Sequence, residues 1–256
     1  MASLRFIQPK WPINKRVFCA STTIDGGVSR DVFKSLNLGA HVGDDALCVE
    51  TNRQRLTHEL KKHAPNMRSI SWLHQTHSTN VLRLTEPTIA GANEADAAYA
   101  KTPNLPCNVM TADCMALMMA NSEGTEVAAI HAGSKGLLNG VIENTVAQFL
   151  SSPHDIHVWF APSICQQNFE VDVDVADLFS AFSSALKASS SNNKVLLDLV
   201  AVADLKLDAL GVLQRYYSNI CTYSTTSLFS HRRATHQGLS TCGRMTNLIL
   251  IKDSHD

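Results

Sequence analysis

The chain has 256 residues, a formal net charge of −1 and no long Lys/Arg block, so it lacks the electrostatic footprint of a protein that binds nucleic acid or an acidic membrane surface. Its seven cysteines are odd in number and scattered without paired spacing, which argues against a disulfide scaffold and for a reducing, cytoplasmic compartment. Apolar runs such as Met115 to Ala120 fall far short of the roughly 20 residues needed to span a bilayer, and the length suits one compact domain, 1–256, that works on a small molecule.

In chain order, Arg16 to Thr22 alternates weakly and meets Asp25-Gly-Gly, the pattern of a strand entering a tight turn. The glycine-punctuated stretch Leu36-Asn-Leu-Gly-Ala-His-Val-Gly-Asp-Asp45 reads as a loop leading into a helix. Asp44 is its expected cap, and Leu47, Leu56 and Leu60 recur at near-helical spacing as far as about His63. Short strands are expected over Ile70 to Gln75, Asn80 to Leu84, Asp96 to Ala100 and Val109 to Thr111. Met115 to Ala120 and Val127 to Ile130 are apolar enough for buried central strands. After His131-Ala-Gly the periodicity becomes helical from about Lys135 to Leu150, with Leu138, Ile142, Val146 and Phe149 on one face. A strand over His157 to Phe160 is followed by helices over Val175 to Leu186 and Leu199 to Leu210, and Met245 to Ile251 closes the chain as a strand. Clustered strands with interspersed helices predict an α+β fold, a single domain of mixed β-sheets with surrounding helices.

Chemistry concentrates between residues 74 and 131. His74-Gln-Thr-His77 follows a predicted strand, Cys114 precedes one in Thr111-Ala-Asp-Cys114, and His131 ends one just before Ala-Gly. Taken singly, each histidine is an ordinary hydrogen-bonded side chain and the cysteine a small buried hydrophobe. Together they offer two imidazoles and a thiolate, and three ligands with one open position are the arrangement of a catalytic zinc. An electron-transferring copper cluster needs more clustered histidines, and no His-x-His pair is present. A metal-free alternative makes Cys114 a nucleophile and His131 its base, in a hydrolase or amidase.

At these residues the chain resembles the laccase-domain proteins, often labelled polyphenol oxidases and now regarded as purine nucleoside phosphorylases. The likeness covers Asn37-Leu-Gly-Ala-His-Val-Gly-Asp-Asp45, Gln75-Thr-His77, Glu94-Ala-Asp-Ala97, Thr111-Ala-Asp-Cys114, His131-Ala-Gly133, Asn168-Phe-Glu-Val171, Leu197-Asp-Leu199, Phe229-Ser-His-Arg-Arg233 and Gly243-Arg-Met245. The resemblance implies zinc ligands at His77, Cys114 and His131, with His77 rather than His74 in the ligand position. It implies a nucleoside pocket drawing on Asn37, His41, Arg232 and Arg233. The implied reactions are phosphorolysis of adenosine, inosine and methylthioadenosine, with some adenosine deamination, by a homodimer. Its fold would be mixed sheets with surrounding helices, related to bacterial deamidating toxins.

Within that scheme the cations Arg232, Arg233 and Lys135 are candidates to steady phosphate, helped by the helix start after Gly133. Asp113 is a candidate to move protons. Two departures from the family pattern stand out: Ser134 and Lys135 replace a tryptophan and an arginine, and His231 replaces a tyrosine. They remove a flat aromatic surface and a bidentate guanidinium, which leaves room for a member that binds nucleosides without turnover.

Overall fold

A computed structural model describes residues 3–253. In chain order its elements are β1 (Phe6–Ile7), β2 (Val17–Thr22), α1 (Ala46–Leu60), β3 (Val81–Leu84), β4 (Ala97–Ala100), β5 (Cys107–Thr111), β6 (Met115–Asn121), β7 (Val127–Ala132), α2 (Ser134–Asn139) and α3 (Val141–Val146). They continue with β8 (Ile156–Phe160), β9 (Glu170–Asp172), α4 (Val173–Asp177), β10 (Leu186–Ala188), β11 (Lys194–Leu197), α5 (Leu199–Ala209), β12 (Gln214–Tyr217), α6 (His231–His236) and β13 (Met245–Ile251). The fold is α+β, a single domain of mixed sheets with surrounding helices. Among the described residues no helix is long and apolar enough to cross a membrane.

Two sheets form the body. One is antiparallel in the order β1-β2-β13-β5, and the other is mixed in the order β12-β8-β6-β7-β4-β3, with parallel pairs only at its two edges. Side chains of β6 alternate across its plane, as a strand buried on both faces requires. Met115, Leu117 and Met119 point toward α2, α3 and α5 through Leu137, Val141, Ile142, Val202 and Leu207. Ala116, Met118 and Ala120 point the other way, into the layer shared with Cys19, Cys107, Val109 and Ile249 of the antiparallel sheet. The outer face of that second sheet, through Phe18, Met110 and Leu250, packs on Leu56 and Leu60 of α1. The result is a helix, sheet, sheet, helix stack. The chain passes from one sheet to the other in the short turn between β5 and β6, where Cys114 sits.

Several sequence expectations change. Asp45, not Asp44, caps α1 by accepting from the backbone N–H of Leu47 and Cys48. The carboxylate of Asp44 is already taken by the Ser29 hydroxyl and the Asn37 amide. Leu47 is 79% exposed, because the buried face of α1 runs through Val49, Asn52, Leu56 and Leu60. The helix expected over Lys135 to Leu150 is two short helices separated at Gly140, whose φ of +105° ends one and starts the other. Asn139-Gly140 is the matching stop signal. The helix expected over Val175 to Leu186 gives way after α4 to a 3-10 stretch, kinked at Phe182, and to β10, which pairs with β11 in the small sheet β10-β11-β9. Ile70 to Gln75 forms no strand, only a single bridge from His74 to Glu94.

Candidate metal centre

Three segments deliver three side chains to one point: the turn before β3 carries His77, the sheet-to-sheet turn carries Cys114, and β7 carries His131 near its end. Their ligand atoms all lie within 4.8 Å of one another, and among the described residues they form the only such group of three. Cys114 Sγ stands 3.9 Å from His77 Nε2, and the two imidazole rings meet edge to face with centroids 4.8 Å apart. The close approach depends on Gly133. A β-carbon there would lie 2.8 Å from His77 Cδ2 and 3.1 Å from Cys114 Sγ. Two imidazoles and a thiolate so gathered suit Zn²⁺ or a soft copper ion.

Asp96, just ahead of β4, holds this arrangement. Its Oδ1 accepts from His131 Nδ1 at 2.7 Å and from the His77 backbone N–H at 3.1 Å. Its Oδ2 accepts from the backbone N–H groups of Thr76 and Ser78 and from the Ser78 hydroxyl. His77 adopts a φ of +59°, and this left-handed kink curls successive N–H groups around the carboxylate as an anion nest. Burial alone would raise the Asp96 pKa, but hydrogen bonding and charge from His131, then Ser78, bring it down to about 2. The carboxylate stays ionised and fixes the imidazole of His131 by its Nδ1, which leaves Nε2 free for the cluster. Burial opposes charge on His131 and Cys114 as well, yet their mutual attraction and the Asp96 hydrogen bond raise His131 to about 9, while the His131 and His77 contacts lower Cys114 to about 6. Nothing in the sequence singles out Asp96 for this role, although it lies inside the motif Glu94-Ala-Asp-Ala97.

A cleft opens over the cluster in two lobes that share His77, Ala112, Cys114 and His231. The larger, about 410 Å³, adds His41, Gln75, Thr111, His131 and Arg244. The smaller, about 180 Å³, adds Ile164, Phe169, Leu199, Asp113, Ser134 and Arg232. His41 thus stands at the cleft, its pKa lowered by partial desolvation first and then by the nearby Arg244 and Arg53 cations. Arg232 lies with its guanidinium 5.4 Å from the Phe169 ring centroid. Arg244, part of the motif Gly243-Arg-Met245, has an Asn37-anchored backbone and a side chain held by the carbonyls of Cys242 and Gly243.

Other sequence candidates stand elsewhere. Arg233 does not line the cleft; its guanidinium donates to the carbonyls of Thr222, Tyr223, Thr225 and Leu228 and clamps their loop. Asn37 is fully buried and bonded to Gly39, Asp44 and Arg244. It shapes the loop that carries His41. Lys135 is exposed and lines neither lobe, whereas its neighbour Ser134 does. Asp113 faces the smaller lobe, but its oxygens are taken by the Thr222 hydroxyl and the Arg232 backbone N–H, both at 2.6 Å. That makes it an anchor for α6 rather than a free proton carrier. The helix after Gly133 has only six residues, too few aligned peptide dipoles for a strong anion site.

The family described as multi-copper polyphenol oxidoreductase laccase matches residues 18–252. A purine nucleoside phosphorylase YfiH of Shigella flexneri is 41% identical over 251 residues, covering 96% of this chain and 99% of its own. The purine nucleoside phosphorylase of Haemophilus influenzae is 38% identical over 252 residues, with 96% and 99% covered. In structure, a Neisseria meningitidis protein superposes with a TM-score of 0.87 at 35% identity, covering 97% of this chain and 99% of that one. YlmD of Geobacillus stearothermophilus gives 0.80 at 27% identity, with 94% of each chain covered.

Proposed function

This chain belongs to the multi-copper polyphenol oxidoreductase laccase family, and we propose that it is a zinc-dependent purine nucleoside phosphorylase. Adenosine, inosine or methylthioadenosine and phosphate are its substrates, and free base and a ribose 1-phosphate are its products. The reading is supported by relatives that carry the purine nucleoside phosphorylase name. The observation that carries it is the cleft: a His77, Cys114 and His131 set between a polar lobe holding Arg244 and His41 and an apolar lobe holding Phe169 and Arg232. A single set of three donors suits one metal ion with an open position rather than a multi-copper cluster.

The division of the cleft suggests the pose. Ile164, Phe169 and Leu199 form apolar walls for the flat purine, with Arg232 at its edge to donate to acceptor atoms of the base. Arg244 is the cation placed to hold phosphate in the larger lobe, with Gln75 and His41 as hydrogen-bonding neighbours. In phosphorolysis a phosphate oxygen bonds to C1′ of the ribose while the bond from C1′ to the purine nitrogen breaks, the electron pair leaving with the base. Held together in one cleft, the reactants would meet without the entropic cost of a bimolecular encounter. A metal on His77, Cys114 and His131 would supply Lewis acidity to a substrate oxygen or nitrogen at its open position. His131, fixed by Asp96, and Cys114 stay in place because their partners are preorganised.

The test is to incubate metal-loaded protein with inosine or adenosine and phosphate and to measure free base and ribose 1-phosphate. Absence of product from protein with stoichiometric metal would overturn the proposal; ammonia released from adenosine would add the deaminase activity. The same reading takes the protein as a homodimer, checked by sedimentation, in a reducing cytoplasm, in keeping with seven free cysteines.

One observation favours a second reading. Without metal, Cys114, His131 and Asp96 stand as a thiolate, imidazolium and carboxylate series, the order of groups in a cysteine hydrolase. Metal analysis separates the two: stoichiometric zinc that is lost in Cys114→Ala supports the phosphorylase and removes the free nucleophile.

A further inference from the structure

Beside the smaller lobe, and sharing Ile164 with it, lies a second cavity of about 300 Å³, lined also by Ser163, Gln166, Asp198, Tyr217 and two cysteines, Cys165 and Cys221. The two come from different segments that are already tied together. Ser163 bridges Cys221 in parallel, the Ser163 N–H donating to the Ile220 carbonyl and the Thr222 N–H to the Ser163 carbonyl. The Cys165 backbone N–H donates to Cys221 Sγ at 3.3 Å. One amide serves both sulfurs: Asn168 Nδ2 stands 3.1 Å from Cys165 Sγ and 3.4 Å from Cys221 Sγ. Both cysteines are free and half-buried. Neither belongs to the His77, Cys114 and His131 set.

The surroundings of the pair are unlike those of the three buried thiols. Cys19, Cys107 and Cys242 are buried, and burial raises the pKa of each, which makes them inert. Burial also works against charge on Cys221, but donors from Cys165, Asn168 and Ser224 outweigh it and bring that thiol down, while Cys165 is raised. One sulfur is thus the better nucleophile and the other a neighbour held ready to resolve it.

We propose that Cys165 and Cys221 form a second reactive site, a dithiol oxidised by hydrogen peroxide to an intramolecular disulfide. In the first step the Cys221 thiolate attacks a peroxide oxygen, the O–O bond breaks, and the departing hydroxide takes a proton to become water, leaving a sulfenic acid. In the second, the Cys165 thiolate attacks that sulfur, the S–S bond forms, and the S–O bond breaks to release a second hydroxide, protonated to water. Two thiols lose two electrons, and one peroxide becomes two waters. The cavity gives the oxidant its access, and the bridged backbone holds the sulfurs together. Because the Asn168 carbonyl also accepts from Arg232 Nη1 at 3.5 Å, the site adjoins the smaller lobe of the cleft.

Metal-loaded wild-type protein is treated with one equivalent of hydrogen peroxide, denatured, alkylated and mapped by peptide mass. The expected result is a Cys165–Cys221 linked peptide lighter by two hydrogen atoms, with loss of two of the seven alkylatable thiols. In Cys165→Ser, a dimedone adduct is expected on Cys221; in Cys221→Ser, Cys165 stays unlabelled. Oxidation of Cys114 or Cys48 with both Cys165 and Cys221 still alkylatable overturns the proposal, as does a linked peptide joining any other pair. The wild-type map stands whether or not the variants fold.

Discussion

Five donors converge on the two oxygens of Asp96: the backbone N–H groups of Thr76, His77 and Ser78, the Ser78 hydroxyl and His131 Nδ1. Asp96→Asn keeps the shape but turns an NH₂ toward N–H groups, so it should lower metal affinity by about 10- to 100-fold, read by competition with a chromogenic chelator. An unchanged affinity would show that the carboxylate orients nothing. Gly133→Ala tests the same cluster from the other side. Its β-carbon would press on His77 Cδ2 at 2.8 Å and on Cys114 Sγ at 3.1 Å, so metal content should fall well below one per chain, measured by elemental analysis, with the melting temperature of the metal-free protein little changed. His77, Cys114 and His131, like His74, were legible in the sequence as candidates at predicted strand ends, and only the family resemblance favours His77 over His74. Asp96 was not, since a lone aspartate before a strand looks like any turn carboxylate until the left-handed kink at His77 folds three N–H groups onto it. Nor does a sequence show which way an arginine points: Arg232 and Arg233 are neighbours, yet one lines the cleft and the other clamps a loop.

At the scale of elements, β7 matters most, because it carries His131 and runs between β6 and β4 in the larger sheet. Its entry is pinned by Glu126, which is 3% exposed and accepts from the Tyr99 hydroxyl, from the N–H of Leu150 and Ser151, and from the Ser151 hydroxyl. Burial opposes the charge, but these hydrogen bonds lower the Glu126 pKa below the ordinary glutamate value. A lowered carboxyl pKa in the folded state stabilises above the unfolded value of about 4.3, and that stability is lost as pH falls through the folded pKa. Glu126→Gln leaves buried donors poorly matched and should cost about 1–3 kcal/mol at pH 7. The gap to wild type should hold at pH 7 and close at acid pH, once pH has fallen through the lowered folded-state pKa and the wild-type carboxyl is itself protonated. Denaturant melts at both pH values check this; an equal gap at both would mean that charge plays no part. The strands nearest the site were readable because β6 and β7 are nearly uninterrupted apolar runs, and β13, apolar from Leu248 on, spans Met245–Ile251 as expected from its sequence. The small sheet β10-β11-β9 was not, since its strands have three or four residues each and are partly exposed, without a face long enough to show alternation.

For the whole molecule, the position of the cluster links metal binding to stability. Cys114 lies in the turn that takes the chain from the antiparallel sheet, at β5, to the mixed sheet, at β6, while His131 belongs to the mixed sheet and His77 to the approach to its edge strand β3. An ion held by all three ties together segments far apart in sequence, and the unfolded chain offers no such set at one point. A ligand that binds only the folded state at 100 times its Kd stabilises by about 2.7 kcal/mol. At about 2–4 °C per kcal/mol for a chain of this size, zinc in that excess should raise the melting temperature by about 5–10 °C over chelator-treated protein. His77→Ala should lose most of the increment, because two remaining donors leave the ion weakly held. Scanning calorimetry of wild type and variant, with and without zinc, reads the effect directly. If zinc left both melting temperatures unchanged, the three side chains would not act as one metal site, and Cys114 paired with His131 and Asp96 would become the better account of the same geometry.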